Sequence, residues 1–195
     1  MRSPLSATRV RKLPVALLLA GSLVAAALTL GACSSSPAPP DGVPTTADTA
    51  PCPRGQGREV SELPRLTLDC LTGPGTVAIS RLHGKPEIIN IWASWCAPCR
   101  EEMPMLERAH HRLGDRVQFL GVDVKDSRSA AQSFLTKHGI GYAQVFDSHG
   151  DLPLRLRLQG VPNTLFVDAS GNVVDRVIGR LDDQSLAEGI SRLQR

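Results

Sequence analysis

From residue 63 onward the chain alternates short apolar runs with amphipathic stretches. Leu63 to Asp69 alternates apolar and polar residues, which predicts a strand with one buried face. Thr76 to Ile79 predicts a second short strand, after the turn residues Gly73-Pro74-Gly75. Ile88-Ile89-Asn90-Ile91-Trp92-Ala93 is almost continuously apolar, the pattern of a strand covered on both faces. A helix is predicted from near Cys96 to about Leu113, with Met103, Leu106 and Leu113 at helical spacing. Val117 to Val122 is another buried strand. Asp126 or Ser127 caps a helix that stops near His138-Gly139. Tyr142 to Phe146 is strand-like, and Leu152 to Leu158 is a candidate short helix. Thr164 to Asp168 and Val173 to Ile178 are strands joined by the hairpin turn Ser170-Gly171-Asn172. Asp182 then caps a last amphipathic helix carrying Leu186, Ile190 and Leu193 on one face. Strands alternating with helices, followed by a hairpin and a helix, predict an α/β sandwich around a mixed sheet.

The first 58 residues follow other patterns. Residues 1–12 are basic, and Leu13 to Ala32 is apolar and uncharged. The stretch ends in Leu30-Gly31-Ala32-Cys33, followed by three serines. A charged start, an apolar run and small residues before a break make a secretory signal. A cysteine directly after Leu-Gly-Ala resembles the bacterial lipobox. That resemblance implies that Cys33 is diacylated, becomes the new N-terminus and attaches the protein to a membrane. An uncleaved anchor is the other reading, since about 20 apolar residues can span a bilayer. Either way, the rest of the chain lies outside the cytoplasm, tethered to the cell membrane. Residues 34–58 are rich in Ser, Pro, Thr, Ala and Gly without apolar periodicity, as expected of a solvated spacer. The expected organisation is a lipoprotein signal peptide at 1–32, the lipidated cysteine and tether at 33–58, and one domain at 59–195.

Composition narrows the function classes. With 42% hydrophobic and 21% charged residues, the body is that of a soluble globular protein. Aromatics are only 4%, too few for a platform that stacks bases. The net charge of +3 belongs to the leader. Arg2, Arg9, Arg11 and Lys12 lie in the first 32 residues, which hold no acid. The remainder carries 18 basic groups against all 19 acidic ones. A body with a net charge of −1 has no electrostatic reason to hold nucleic acid.

There are five cysteines: Cys33, Cys52, Cys70, Cys96 and Cys99. With Cys33 lipidated, four remain, enough for two pairs in an oxidising compartment. Cys96 and Cys99 form a C-x-x-C, leaving Cys52 and Cys70. A structural disulfide between these two pins the end of the tether to the domain, worth about 3 kcal/mol by loop entropy. The competing reading makes them a second redox pair, but they lack a helix-start context.

The chemistry centres on Trp95-Cys96-Ala97-Pro98-Cys99. A buried strand precedes it and a helix begins at it. A cysteine at a helix N-terminus faces unpaired N–H groups and the positive end of the dipole, which stabilise the thiolate and lower its pKa. Cys99 lies across the first turn, close enough to bond to Cys96. Pro98 suits this turn because its missing N–H is not needed there. Cys96 is the exposed attacking thiol and Cys99 the shielded resolving one.

These residues resemble the thioredoxin superfamily, and the run from Trp92 to Pro104 resembles its TlpA/ResA branch of membrane-anchored, extracytoplasmic thiol-disulfide oxidoreductases. The resemblance covers about residues 60–195. It implies a thioredoxin-like fold with an N-terminal extension and a central insert around residues 117–146. It also implies that Val161-Pro162, after Gly160, is a cis-proline loop against the redox pair. Trp95, Ala97, Pro98, Val161 and Pro162 are then the substrate-binding residues, with the Val161 backbone offered to the substrate. Thioredoxin carries a buried Asp on the preceding strand; Asn90 stands there and cannot take a proton. The branch implies an acid one turn after Cys99, which makes Glu102 the candidate proton acceptor. Surface charges are the plain alternative for Glu101 and Glu102. Asn163 also departs from the branch, which more often has Thr. Trp92 is expected in the core, and His110-His111 on a helix surface.

No metal or organic cofactor is expected. The partners implied are protein thiols or disulfides of the cell envelope, apocytochrome c among them, and a membrane thiol electron donor. One rival is an oxidase that forms disulfides in secreted proteins. Another is a copper-binding assembly lipoprotein, since thiolates suit Cu(I). Such proteins space their cysteines more widely and add a His, which is not found near the Gly160-Val161-Pro162 loop. A peroxidase keeps its reactive cysteine in a different motif.

Overall fold

The computed structural model describes residues 51–53, 57, 59–81 and 84–193. The leader, Cys33 and most of the tether lie outside the described residues. Seven strands and four helices follow in the order β1 (Thr67–Cys70), β2 (Thr76–Ala78), β3 (Glu87–Trp92), α1 (Ala97–Leu113), β4 (Gln118–Val124), α2 (Arg128–His138), β5 (Ala143–Asp147), α3 (Asp151–Arg155), β6 (Asn163–Val167), β7 (Val173–Ile178) and α4 (Asp183–Leu193). Among the described residues, no helix is long and apolar enough to cross a membrane.

The sheet runs β2-β1-β5-β4-β3-β6-β7. β3, β4 and β5 are parallel, and the outer pairings are antiparallel. It is the mixed sheet that the alternating pattern predicts. The segment 117–146 holds β4, α2 and all of β5 but its last residue. β3 is buried at every position, so its apolar run is needed on both faces. On one face Trp92, Phe119 and Phe166 pack with Met103 and Leu106 of α1, Leu135 of α2, and Leu186 and Leu193 of α4. On the other, Ile89, Ile91, Val122 and Leu165 pack with Val60, Leu63 and Leu152.

Two elements are shorter than their patterns predict. β1 begins at Thr67 rather than Leu63, because Leu63 is drawn into the second core and Pro64 has no N–H to pair. α3 ends at Arg155, and Arg157 then adopts a left-handed φ of 55° that breaks the helix. Cys52 and Cys70 are bonded to each other, joining the segment ahead of the domain to β1.

One row of the sheet beneath α1 is polar. Thr164, Asn90, Gly121 and Gln144 are lateral neighbours on β6, β3, β4 and β5. The Gln144 side chain crosses over Gly121 and accepts the Trp92 indole N–H at 2.9 Å. A Cβ at residue 121 would overlap the Gln144 amide.

Gly189 of α4 is constrained in the same way, because a Cβ there would overlap the fully buried Phe166 ring. Ala favours a helix over Gly by about 1 kcal/mol. Overpacking a ring that cannot move costs about 1–3 kcal/mol. Gly189→Ala is therefore expected to lower the urea midpoint. A raised midpoint would show that Phe166 has room to yield.

Candidate active site

The redox pair sits where β3 hands over to α1. Cys96 is the N-cap of α1, with extended backbone, and its sulfur accepts the Cys99 N–H at 3.2 Å. Ala97 and Pro98 fill the first two helical positions. The two sulfurs are bonded. Cys99 is wholly buried and Cys96 retains 5% exposure, so the first cysteine is the one a partner can reach. It is less open than the sequence suggests.

Two residues of that segment are tied to the β4–α2 turn. The Ser94 N–H donates to Asp126 Oδ2, and the Trp95 indole N–H donates to the Lys125 carbonyl at 3.1 Å. Asp126 Oδ1 meanwhile accepts the Ser127 N–H. Arg100 donates back to the Ser94 carbonyl at 2.9 Å. Trp92 is core, and Trp95 is 57% exposed beside the thiols.

The Val161-Pro162 peptide is cis, as the motif predicts. Gly160 ahead of it has a φ of 75°, which a side chain would resist. Asn163 is buried and donates to the Gly160 carbonyl at 2.9 Å, closing the turn. A groove of about 160 Å³ runs from Trp95 to Val161 and is floored by Pro153, Leu154 and Leu158. Its wall comes from α3, whose start is fixed by Asp147. That carboxylate accepts the N–H groups of Gly150, Asp151 and Leu152.

Glu102 is buried, unlike Glu101, which stays exposed beside Arg180. Glu102 Oε1 accepts from Asn90 Nδ2 at 2.8 Å, and Oε2 accepts the Leu181 N–H at 2.7 Å. Burial pushes its pKa up to about 7, against the lowering effect of those hydrogen bonds and of Arg180. His110 is half-buried rather than on the surface, packed edge-on against Phe119. Among the described residues, no three His, Cys, Asp or Glu side chains are grouped to hold a metal ion.

The sequence pattern missed the supports of the site. Of the two candidate caps of α2, Ser127 is the N-cap, its hydroxyl accepting the Ala130 N–H at 3.2 Å, and Asp126 instead holds Ser94 across 32 residues of chain. The Leu181 amide lies 79 residues from Glu102 and carries no side-chain signal.

A cysteine pair at the N-cap of the helix after a central strand, with a cis-proline turn beside it, defines the thioredoxin-like class of thiol-disulfide oxidoreductases. The family model described as "AhpC/TSA family" matches residues 61–176, and the chain belongs to that family. It is 34% identical over 122 residues to the "Thiol:disulfide interchange protein DsbE" of Pseudomonas fluorescens biotype C, covering 62% of this chain and 66% of that one. The chain thus spans just under two thirds of that relative's length. It is 27% identical over 129 residues to the "Thiol-disulfide oxidoreductase ResA" of Bacillus subtilis, covering 66% of this chain and 72% of that one. The solved structure of MTB DsbF, in mixed oxidised and reduced forms, superposes with a TM-score of 0.61 at 28% identity, covering 68% of this chain and 96% of that one.

Three buried carboxyls set the response of folding to pH. Burial raises Glu87 and Asp123 to about 8 and Glu102 to about 7. Each keeps a proton in the folded chain that the unfolded chain loses near pH 4. Their contribution is full below that pH and is lost as pH rises through about 7 and 8. The urea midpoint is expected to fall across this window, less steeply in Glu87→Gln. A midpoint that rises with pH would contradict these burials.

Proposed function

We propose that this protein is a membrane-tethered, extracytoplasmic thiol-disulfide reductase acting on envelope proteins, with the disulfide-bonded haem-site cysteines of apocytochrome c as the leading substrate class. The observation that carries the reading is the seat of Cys96 at the N-cap of α1, where the Cys99 N–H points at its sulfur. Helix-terminal N–H groups stabilise a thiolate. The names of the relatives support dithiol exchange. The cytochrome substrate and the membrane donor come from the TlpA/ResA resemblance.

In the proposed reaction, the Cys96 thiolate attacks a partner disulfide, and one partner sulfur leaves as a thiolate. The Cys99 thiol gives its proton to Glu102 and attacks Cys96 in the mixed disulfide. The second partner sulfur then leaves, and Cys96–Cys99 is oxidised. Two electrons have passed to the partner, and a thiol donor must return them. Glu102 suits the proton step because an acceptor works best with a pKa near the working pH. The groove between Trp95 and Val161 takes the partner backbone, with Ala97 and Pro98 on the approach to Cys96. Cys52–Cys70 acts as a structural bridge. Residues 1–32 form the signal peptide, lipid on Cys33 anchors the chain, and 33–58 space the domain at 59–195 from the membrane.

Cys96→Ser is expected to abolish insulin reduction, while Cys99→Ser accumulates a mixed disulfide that dithiothreitol releases. Retained activity in Cys96→Ser overturns the assignment. The reduction potential decides direction: about −270 mV supports a reductase, and about −120 mV an oxidase.

Membrane fractionation of Cys33→Ala tests the anchor. The variant is expected in the soluble fraction. Retention on the membrane would mean an uncleaved apolar anchor.

A further inference from the structure

Asp123, near the C-terminal end of β4, has no part in the reaction above. It is fully buried, no donor among the described residues reaches either carboxyl oxygen, and the one side chain it meets by hydrogen bond is the Asp126 carboxyl. A carboxylate in that position is severely penalised unless it is paired. Its surroundings do little to pair it. On β3 its lateral neighbour is the apolar Trp92, and on β5 it is Phe146. The charged groups facing it are Asp126 of the β4–α2 turn, Asp147 of β5 and Arg128 of α2. Two of these three are acids. The one cation is committed elsewhere, because Arg128 donates to the carbonyls of Cys70 and Leu71 and lies over the Phe146 ring. Asp123 is therefore held neutral by its position.

Its neighbour Asp126 is the group that holds the redox segment. Asp126 accepts the Ser94 N–H on one carboxyl oxygen and the Ser127 N–H on the other. Ser94 and Trp95 immediately precede Cys96. A second negative charge on the carboxyl that meets Asp126 would repel its carboxylate and weaken its hold on the Ser94 amide. We infer that Asp123 is a positioning residue for the redox segment: as a neutral acid it lets Asp126 clamp Ser94, and its ionisation loosens that clamp. Burial and the Asp126 charge raise its pKa to about 8, which puts the change in the mildly alkaline range. The consequence for Cys96 rests on the function proposed above, whereas the clamp itself does not.

The test follows the Ser94 amide proton by NMR against pH, in oxidised full-length protein where neither catalytic thiol titrates. The wild type is expected to show a titration near pH 8. Asp123→Asn should lose it. Asp126→Asn keeps an acceptor oxygen for Ser94 but removes the neighbouring charge, so the midpoint should move to lower pH. If Asp123→Asn fails to fold, Asp126→Asn carries the test. A wild-type Ser94 signal that is flat, or one unchanged in the folded variants, overturns the inference. Iodoacetamide labelling of the reduced protein supplies the separate readout. The wild-type and Asp123→Asn labelling rates at Cys96 should diverge only on the alkaline side; rates that superimpose at all pH values remove the link to Cys96. Labelling at Cys99 instead would refute the assignment of the nucleophile and leave the Ser94 titration standing.

Discussion

A carboxyl group placed between a helix and a sheet must find partners there, and Glu102 finds them on two sides. Asn90 reaches it from β3, and the Leu181 backbone reaches it from the segment ahead of α4. One side chain of the active helix thereby fixes the central strand, the redox helix and the last helix relative to each other. Asn90 can serve only because its own row of the sheet is polar, with Thr164 on one side and the Gln144 amide crossing Gly121 on the other. Asn90 Oδ1 lies buried in this layer without a partner among the described residues. The layer under α1 is thus a polar seam inside an apolar body, and the dithiol stands at its edge.

The redox segment is held independently at each end. Upstream, Ser94 and Trp95 are bonded to the β4–α2 turn. Downstream, α1 begins at once with Ala97 and Pro98. The opposite wall is a turn whose shape is set by Gly160, the cis peptide and the Asn163 side chain. A site supported this way needs little rearrangement to meet a partner, which favours reactions that depend on the placement of a single sulfur.

Much of this was legible in the chain because it is local. The apolar run at Ile88–Ala93 fixed β3 to within a residue, and the hairpin residues fixed β7. Cys96, Cys99 and Val161-Pro162 carry their meaning in their immediate neighbours. What escaped depends on distance along the chain or on the backbone. Asp147 caps α3 through three N–H groups, but an Asp ahead of a turn is too common to mark this. Pro64 and Arg157 trimmed β1 and α3 through backbone geometry that apolar periodicity does not report. Glu102 could be singled out as a candidate by family likeness, but its burial is set by Leu181 and Asn90, which no pattern near Glu102 names.

The crossing of Gln144 over Gly121 has an evolutionary side. Neither residue is free to vary alone: a side chain at 121 requires that the one at 144 withdraw, and withdrawal strands the Trp92 indole. A shortened residue at 144 would in turn leave a void above the glycine. The two positions form a single inherited character spread over two strands. A lineage that abandons this arrangement has to change both positions, or pass through an intermediate in which the floor beneath its redox helix is either overfilled or hollow.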